Sequence, residues 1–291
     1  MVEPVQQFDV ISMGRIGVDL YPQRSGPGPA RNRSLGQVLG GSAADVAVAA
    51  ARLGRSAAVI ARTGADPFGA YLHQTLTESG VDTRWVTPVA ASPTPLSQAP
   101  DLEIHTDELD CFALRAARIL WITGTLLSAE PSRSATLAAL KCRDRAGTTV
   151  LDLDGRPALL DGTARTDPDE ARPYYAEALR HATVAVGELD ACEAVTGVAD
   201  PRACAEALLA AGVELAVVRQ GPKGVLAVHR DGTTAEAPPV PAEAVDGPRA
   251  GGAFGGALCH ALLSGWDLER TVRHAHATGA QLDALVNGTP R

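Results

Sequence analysis

The chain has 291 residues, 45% of them hydrophobic and 21% charged, which is enough apolar material for one large core. Its 26 basic and 34 acidic residues leave a net charge of −8, which argues against a nucleic-acid or anionic-membrane partner. No apolar run approaches the ~18–20 residues that cross a bilayer, and the first seven residues do not read as a signal peptide. Five scattered cysteines (Cys111, Cys142, Cys192, Cys204 and Cys259) lack metal-ligand spacing, so a cytoplasmic protein with reduced thiols and no metal site is expected.

In chain order, short β-branched runs alternate with Ala/Leu-rich helical stretches. That alternation predicts an α/β fold with a central, mostly parallel sheet flanked by helices. Strands are predicted over 8–13, 57–63, 119–123, 149–154, 182–187, 215–219 and 224–229. Helices are predicted over 42–53, 70–79, 132–144, 201–211, 253–264 and 268–286. Two stretches, 21–35 and 86–100, are rich in Pro with Gly, Arg, Ala or Ser and read as loops or poor edge segments. There is no internal repeat and no interdomain linker, so 1–291 reads as a single domain.

Gly40-Gly41-Ser42-Ala43-Ala44-Asp45 opens a helix. Paired glycines at a strand-to-helix turn let backbone N–H groups approach a polar ligand, although a plain tight turn reads the same. Gly64-Ala65-Asp66-Pro67-Phe68-Gly69 also precedes a helix, but it lacks the Gly-x-Gly-x-x-Gly dinucleotide pattern. No Gly-Lys-Ser/Thr phosphate loop exists.

Taken in order, several segments resemble the PfkB (ribokinase-like) family of carbohydrate kinases over nearly the whole chain. They are Gly14-Arg15-Ile16-Gly17-Val18-Asp19, Gly40-Gly41 with its Ala-rich continuation, the segments 64–69 and 80–83, and Thr196-Gly197. Gln220-Gly221-Pro222-Lys223-Gly224 and Ala250-Gly251-Gly252-Ala253-Phe254-Gly255-Gly256 complete the set. Within that family, 14–22, 99–109 and 255–260 look most like the 5-dehydro-2-deoxygluconokinases of bacterial inositol breakdown. The resemblance implies a three-layer fold with a reduced β lid formed by parts of 15–40 and 86–108. It also implies a cytoplasmic kinase with ATP and Mg²⁺ as cofactors and a small sugar or sugar acid as ligand, with a homodimer through the lid as the weaker expectation. Arg15, Asp19, Gly40, Gly41 and Asp45 would face the sugar, where a carboxylate can accept from two hydroxyls at once. Arg156 would lie near the transferring phosphate, and the backbone of Ala250, Gly251 and Gly252 would form an anion hole. Glu188, Arg219, Gly221, Gly224 and His276 would lie along the nucleotide. Taken alone, the glycines read as turn residues and the arginines as surface ion pairs.

The chain departs from that pattern where the chemistry sits. The resemblance puts a general-base Asp at Gly252 and a Gly at Arg249, and glycine accepts no proton; loss of a general base costs ~10²–10⁴ in rate. Asp246, six positions upstream, is a poor substitute unless its loop refolds. The family's Asn-x-x-Glu, whose Glu organises Mg²⁺, reads Glu188-x-x-Ala191, and Glu193 is displaced in helical phase by about 200°. Asp45 and His276 stand where the family has Asn, and Gly155 where close relatives have an aromatic. These changes put nucleotide and metal binding in question. They lead to the expectation of a catalytically impaired or repurposed kinase homologue, a pseudoenzyme by ancestry. The alternatives are an active sugar kinase with a substitute base and a non-catalytic ligand-binding or partner subunit.

Overall fold

A computed structural model describes residues 7–22, 35–96, 103–153, 168–238 and 250–287. The chain enters at the middle of the sheet. The strand β1 (Val10–Met13) is apolar on both faces, as a central parallel strand must be, and all four of its residues are buried. A hairpin of β2 (Gly17–Pro22) and β3 (Leu35–Gly40) then leaves the sheet as a separate two-stranded unit. It leads directly into the helix α1 (Ser42–Arg52).

On one side of β1 the chain builds β4 (Ala57–Gly64), α2 (Pro67–Glu78) and the edge strand β5 (Val81–Val89). It then crosses to the other side through α3 (Cys111–Ala116), β6 (Ile119–Thr123), α4 (Ser132–Arg143) and β7 (Thr148–Asp152). α5 (Pro168–His181), β8 (Val184–Glu188), α6 (Leu189–Thr196), α7 (Pro201–Ala211) and β9 (Leu215–Arg219) continue that side. β10 (Val225–His229) and β11 (Thr234–Ala237) close it, before α8 (Ala250–Leu263) and α9 (Leu268–Asn287) return across the sheet.

Among the described residues the main sheet has nine strands in the order β11-β10-β9-β8-β7-β6-β1-β4-β5. β5 through β9 run parallel, and β10 and β11 are antiparallel. Alternate strand residues feed two cores. Val10, Val59, Trp121 and Val217 face α1, α2, α8 and α9, while Ile11, Ile60, Ile122 and Val218 face α3 to α7. The strand order reverses between β1's two neighbours, β4 and β6. Open α/β sheets bind ligands at such a switch point, outside the carboxyl ends of their strands.

Of the stretch 86–100, expected as a loop or a poor edge segment, residues 86–89 form the end of the edge strand β5, paired with β4, and 97–100 lie outside the described residues. Pro88 reads as a strand breaker, but β5 is an edge strand, where a missing N–H breaks no ladder. Of the stretch 21–35, expected as a loop or a poor edge segment, Tyr21, Pro22 and Leu35 belong to the two-stranded unit of β2 and β3, and residues 23–34 lie outside the described residues.

Candidate functional site

β2 is positioned by a chain of hydrogen bonds that starts at the Gly64–Gly69 turn. Asp66 caps α2 by accepting from the Gly69 N–H at 2.8 Å. It also accepts from the Thr94 N–H (2.7 Å) and hydroxyl (2.6 Å). The next residue, Pro95, accepts from the Val18 N–H of β2 at 2.9 Å. Burial pushes the Asp66 carboxyl up, but the donors on Thr94, Gly69 and Phe68 outweigh it and hold the carboxyl below its ordinary 3.8. A lowered folded pKa contributes stability above 3.8 that is lost as pH falls through the folded value. Asp66→Ala is therefore expected to lower stability by about 0.5–2 kcal/mol at pH 7. Urea unfolding at pH 7 and pH 3 should show the gap from the native protein narrowing at the acid end.

β2 and β3 carry Asp19 and Gly40, two of the residues anticipated at the sugar, and bring them together. The Asp19 carboxylate lies directly over Gly40. A Cβ on Gly40 would sit 2.2 Å from Asp19 Oδ2 and 2.5 Å from its Cγ, so only glycine leaves room for this carboxylate. Gly41 caps α1 at φ +100°, a conformation L side chains avoid, and a Cβ there would lie 2.3 Å from the Arg15 carbonyl oxygen. Arg15, Asp19, Gly40 and Gly41 thus form one closely packed turn at the carboxyl end of β1.

A second group lies at the carboxyl ends of β8 and β9, where Glu188 and Arg219 are cross-strand partners. They form an ion pair at 2.7 Å. Arg219 also stacks over the Phe254 ring at 5.0 Å, and its Nη1 lies 3.0 Å from where a Cβ on Gly251 would be. The guanidinium is thereby held against the first turn of α8, whose N–H groups lack partners within the helix and favour anions. His276, on α9, is 7% exposed. Burial pushes its imidazole down, Arg219 adds to this, and a hydrogen bond to Pro238 and the Glu188 charge oppose it. Its Nε2 is buried with no hydrogen-bond partner among the described residues.

The two glycines read as nucleotide contacts have different surroundings. Gly221 (φ +55°) faces open space, whereas a Cβ on Gly224 would lie 2.2 Å from the Ala237 carbonyl oxygen. Gly224 is therefore required by the packing of β10 on the end of β11. Arg156, Asp246, Arg249 and Gly155 lie outside the described residues, as does the side chain of Ala250, which opens α8.

The seam between α1 and α8 was not anticipated. Gly252, Gly255 and Gly256 recur at helical spacing and face α1. A Cβ on Gly256 would lie 2.4 Å from Ala49 Cβ, and one on Gly255 would lie 2.8 Å from Val46 Cγ2 and 2.7 Å from the Trp121 ring. A Cβ on Gly252 would lie 2.2 Å from Asp45 Cβ and 3.2 Å from its Cα. The space for a side chain at 252 is therefore filled by Asp45, itself 8% exposed. Asp45 is thus an acidic residue in contact with the Gly252 position, whereas Asp246, weighed as a substitute from the sequence, lies outside the described residues. The sequence signal was available: the chain has Asp45 and Gly252 where the resemblance implies Asn and Asp.

The arrangement fits a nucleotide better than it fits a protein-held metal. Arg219, the Gly251 turn and the orphaned His276 Nε2 offer a cation, backbone donors and a buried acceptor. Among the described residues no group of three His, Cys, Asp or Glu side chains could hold a metal, and Ala191 offers no ligand where the resemblance expected Glu. Magnesium is commonly carried largely by the phosphates of the nucleotide and by water, and the residues present match that mode. An open cavity of about 440 Å³ at the opposite end of the strands is lined by Gln7, Arg115, Arg118, Thr148 and Leu263.

The model of the pfkB family of carbohydrate kinases matches residues 7–282. The 5-dehydro-2-deoxygluconokinase of Photobacterium profundum is 32% identical over 296 residues, covering 94% of this chain and 88% of its own. A PfkB protein from Polaromonas superposes with a TM-score of 0.81 at 22% identity, covering 97% of this chain and all of its own. The fructokinase of Xylella fastidiosa with bound ATP superposes at 0.79 and 23% identity, over 94% of this chain and 91% of its own. At these identities the two structures speak for the fold alone.

Proposed function

Because the chain belongs to the pfkB family of carbohydrate kinases, we propose that it is an altered sugar kinase. It holds ATP and a keto-sugar acid of the 5-dehydro-2-deoxygluconate type and transfers a phosphoryl group at a reduced rate. The observation that carries this reading is the Asp19 carboxylate seated over Gly40 at the sheet's switch point; the reduced rate is expected because Gly252 and Ala191 stand where the resemblance implies Asp and Glu. ATP supplies the phosphoryl group when bound. Asp19 and the Gly40–Gly41 turn orient the hydroxyls of the sugar acid, and Arg219 with the first turn of α8 offsets phosphate charge. An assay coupled to ADP release, with ATP, Mg²⁺ and 5-dehydro-2-deoxygluconate, is expected to show turnover that requires the sugar acid. The rate should be on the order of 10² below that of a 5-dehydro-2-deoxygluconokinase run alongside. No turnover at saturating ATP and Mg²⁺ would rule the proposal out.

The Glu188–Arg219 pair favours a second reading, a protein that binds its ligands without turnover. Glu188 is an anion already seated on the cation that a phosphate would use. Glu188→Gln should free Arg219 and tighten ATP binding about threefold to fivefold, in line with the ~1 kcal/mol ceiling of a partly exposed pair. Isothermal titration with ATP measures this, and weaker binding would mean that Glu188 itself contacts the nucleotide.

A further inference from the structure

We infer that Asp45 is the proton acceptor of the transfer, a carboxylate that α1 delivers to the place where α8 carries none. The inference rests on the phosphotransferase reading above. Transfer to a hydroxyl needs a group that takes its proton beside the donors that hold the transferring phosphoryl group. In this protein those donors are the N–H groups of the first turn of α8, which have no partner within the helix, and Gly252 of that turn offers no acid–base group.

Asp45 meets the requirement by position. It lies one helical turn after Gly41, so it follows directly on the Gly40–Gly41 turn that Asp19 covers. Its backbone N–H is spent on the Gly41 carbonyl (3.0 Å), which fixes its place in the first turn of α1. Its Cβ is the atom that fills the side-chain space of Gly252. A single residue therefore touches both the helix that follows the sugar turn and the turn that holds phosphate charge. At 8% exposure it is largely shielded from water. Glycine at 252 is what permits the approach, because any side chain there would collide with Asp45.

In the step, an Asp45 oxygen takes the proton of the sugar hydroxyl. The hydroxyl oxygen forms the new bond to the terminal phosphorus as the bond from that phosphorus to the ADP oxygen breaks. ADP leaves with that electron pair, and the proton passes from Asp45 to solvent after release.

The test compares Asp45→Asn, close in shape, with the native protein in the ADP-release assay, with ATP affinity followed by calorimetry and folding by circular dichroism. The expected result is a kcat lowered by ~10²–10⁴, with KM for the sugar acid and Kd for ATP within about threefold of native. Asp45→Ser, smaller than either, should show the same split and serves if the Asn variant does not fold. A variant that keeps more than a tenth of the native kcat, or loses activity through KM alone, overturns the inference and leaves Asp45 as a sugar contact. Absence of turnover in the native protein overturns the phosphotransferase reading itself, and the inference with it.

Discussion

Asp19→Asn is expected to lower kcat/KM for the sugar acid by about tenfold to a hundredfold, with ATP affinity unchanged. Asp19 stands on β2, paired to β3 in a register that sets its carboxylate over Gly40. An ionised carboxylate accepts from two hydroxyls at once, and each such bond is worth roughly 1.5–3 kcal/mol. Asparagine keeps one acceptor oxygen and turns the other into a donor, so one bond is lost and a second donor faces a hydroxyl. The amide is nearly the size of the carboxylate, and the small sheet should keep its form. Initial rates across sugar-acid concentration, with ATP titrated separately, measure the effect. A change in ATP affinity with sugar-acid kinetics intact would move Asp19 out of the sugar site.

The Asp19 prediction uses a residue that was legible in the sequence, and the reason is physical. Glycines that the backbone requires leave a strong trace: Gly40, Gly41 and the Gly64–Gly69 turn could each be placed from the residues alone. So could the strands of β1, β4, β6 and β9, whose continuous apolar runs mark strands buried on both faces. The β2–β3 hairpin was not legible from periodicity, only as a β lid implied by the resemblance. Its residues are few and Gly- and Pro-rich, and beyond each other they pair only through an isolated bridge from Val18 to Leu96 among the described residues. α6 begins at the residue after β8 ends, and with no loop between them the two periods blur.

The site was legible by residue and obscure by contact. Glu188 and Arg219 were both expected near the nucleotide, but their ion pair depends on β8 and β9 being neighbours in register. Asp45 and Gly252 are separated by more than two hundred positions, and only the packing of α8 on α1 joins them. Read singly, Asp45 was a changed sugar contact and Gly252 a lost base. Joined, the two positions describe a carboxylate moved from one helix to the other.

That joining reverses what is expected of the obvious repair. Gly252→Asp is expected to destabilise the protein without raising its activity. The new Cβ would meet Asp45 Cβ at 2.2 Å, with the Asp45 Cα and carbonyl carbon at 3.2 and 3.3 Å behind it. These are atoms of a helix backbone and its first side-chain carbon, so no rotamer change relieves the contact. α8 would have to withdraw from α1. Withdrawal would open gaps where Gly255 and Gly256 now press on Val46, Ala49 and Trp121. Overpacking of this kind costs about 1–3 kcal/mol. A second carboxylate beside a buried one adds repulsion that raises the pKa of one of the pair and leaves it a poor base at neutral pH. Gly252→Ala separates the two effects, since it adds the Cβ without the charge and should carry most of the loss in stability. The exchange Asp45→Gly with Gly252→Asp removes the colliding Cβ and returns the carboxylate to α8. Its cost should be about 1 kcal/mol for a glycine inside α1, and it should be more active than Gly252→Asp alone. Urea unfolding and initial rates on the three variants measure this. A stable Gly252→Asp protein with raised turnover would mean that α8 has room to move and that position 252 is still where the proton is taken.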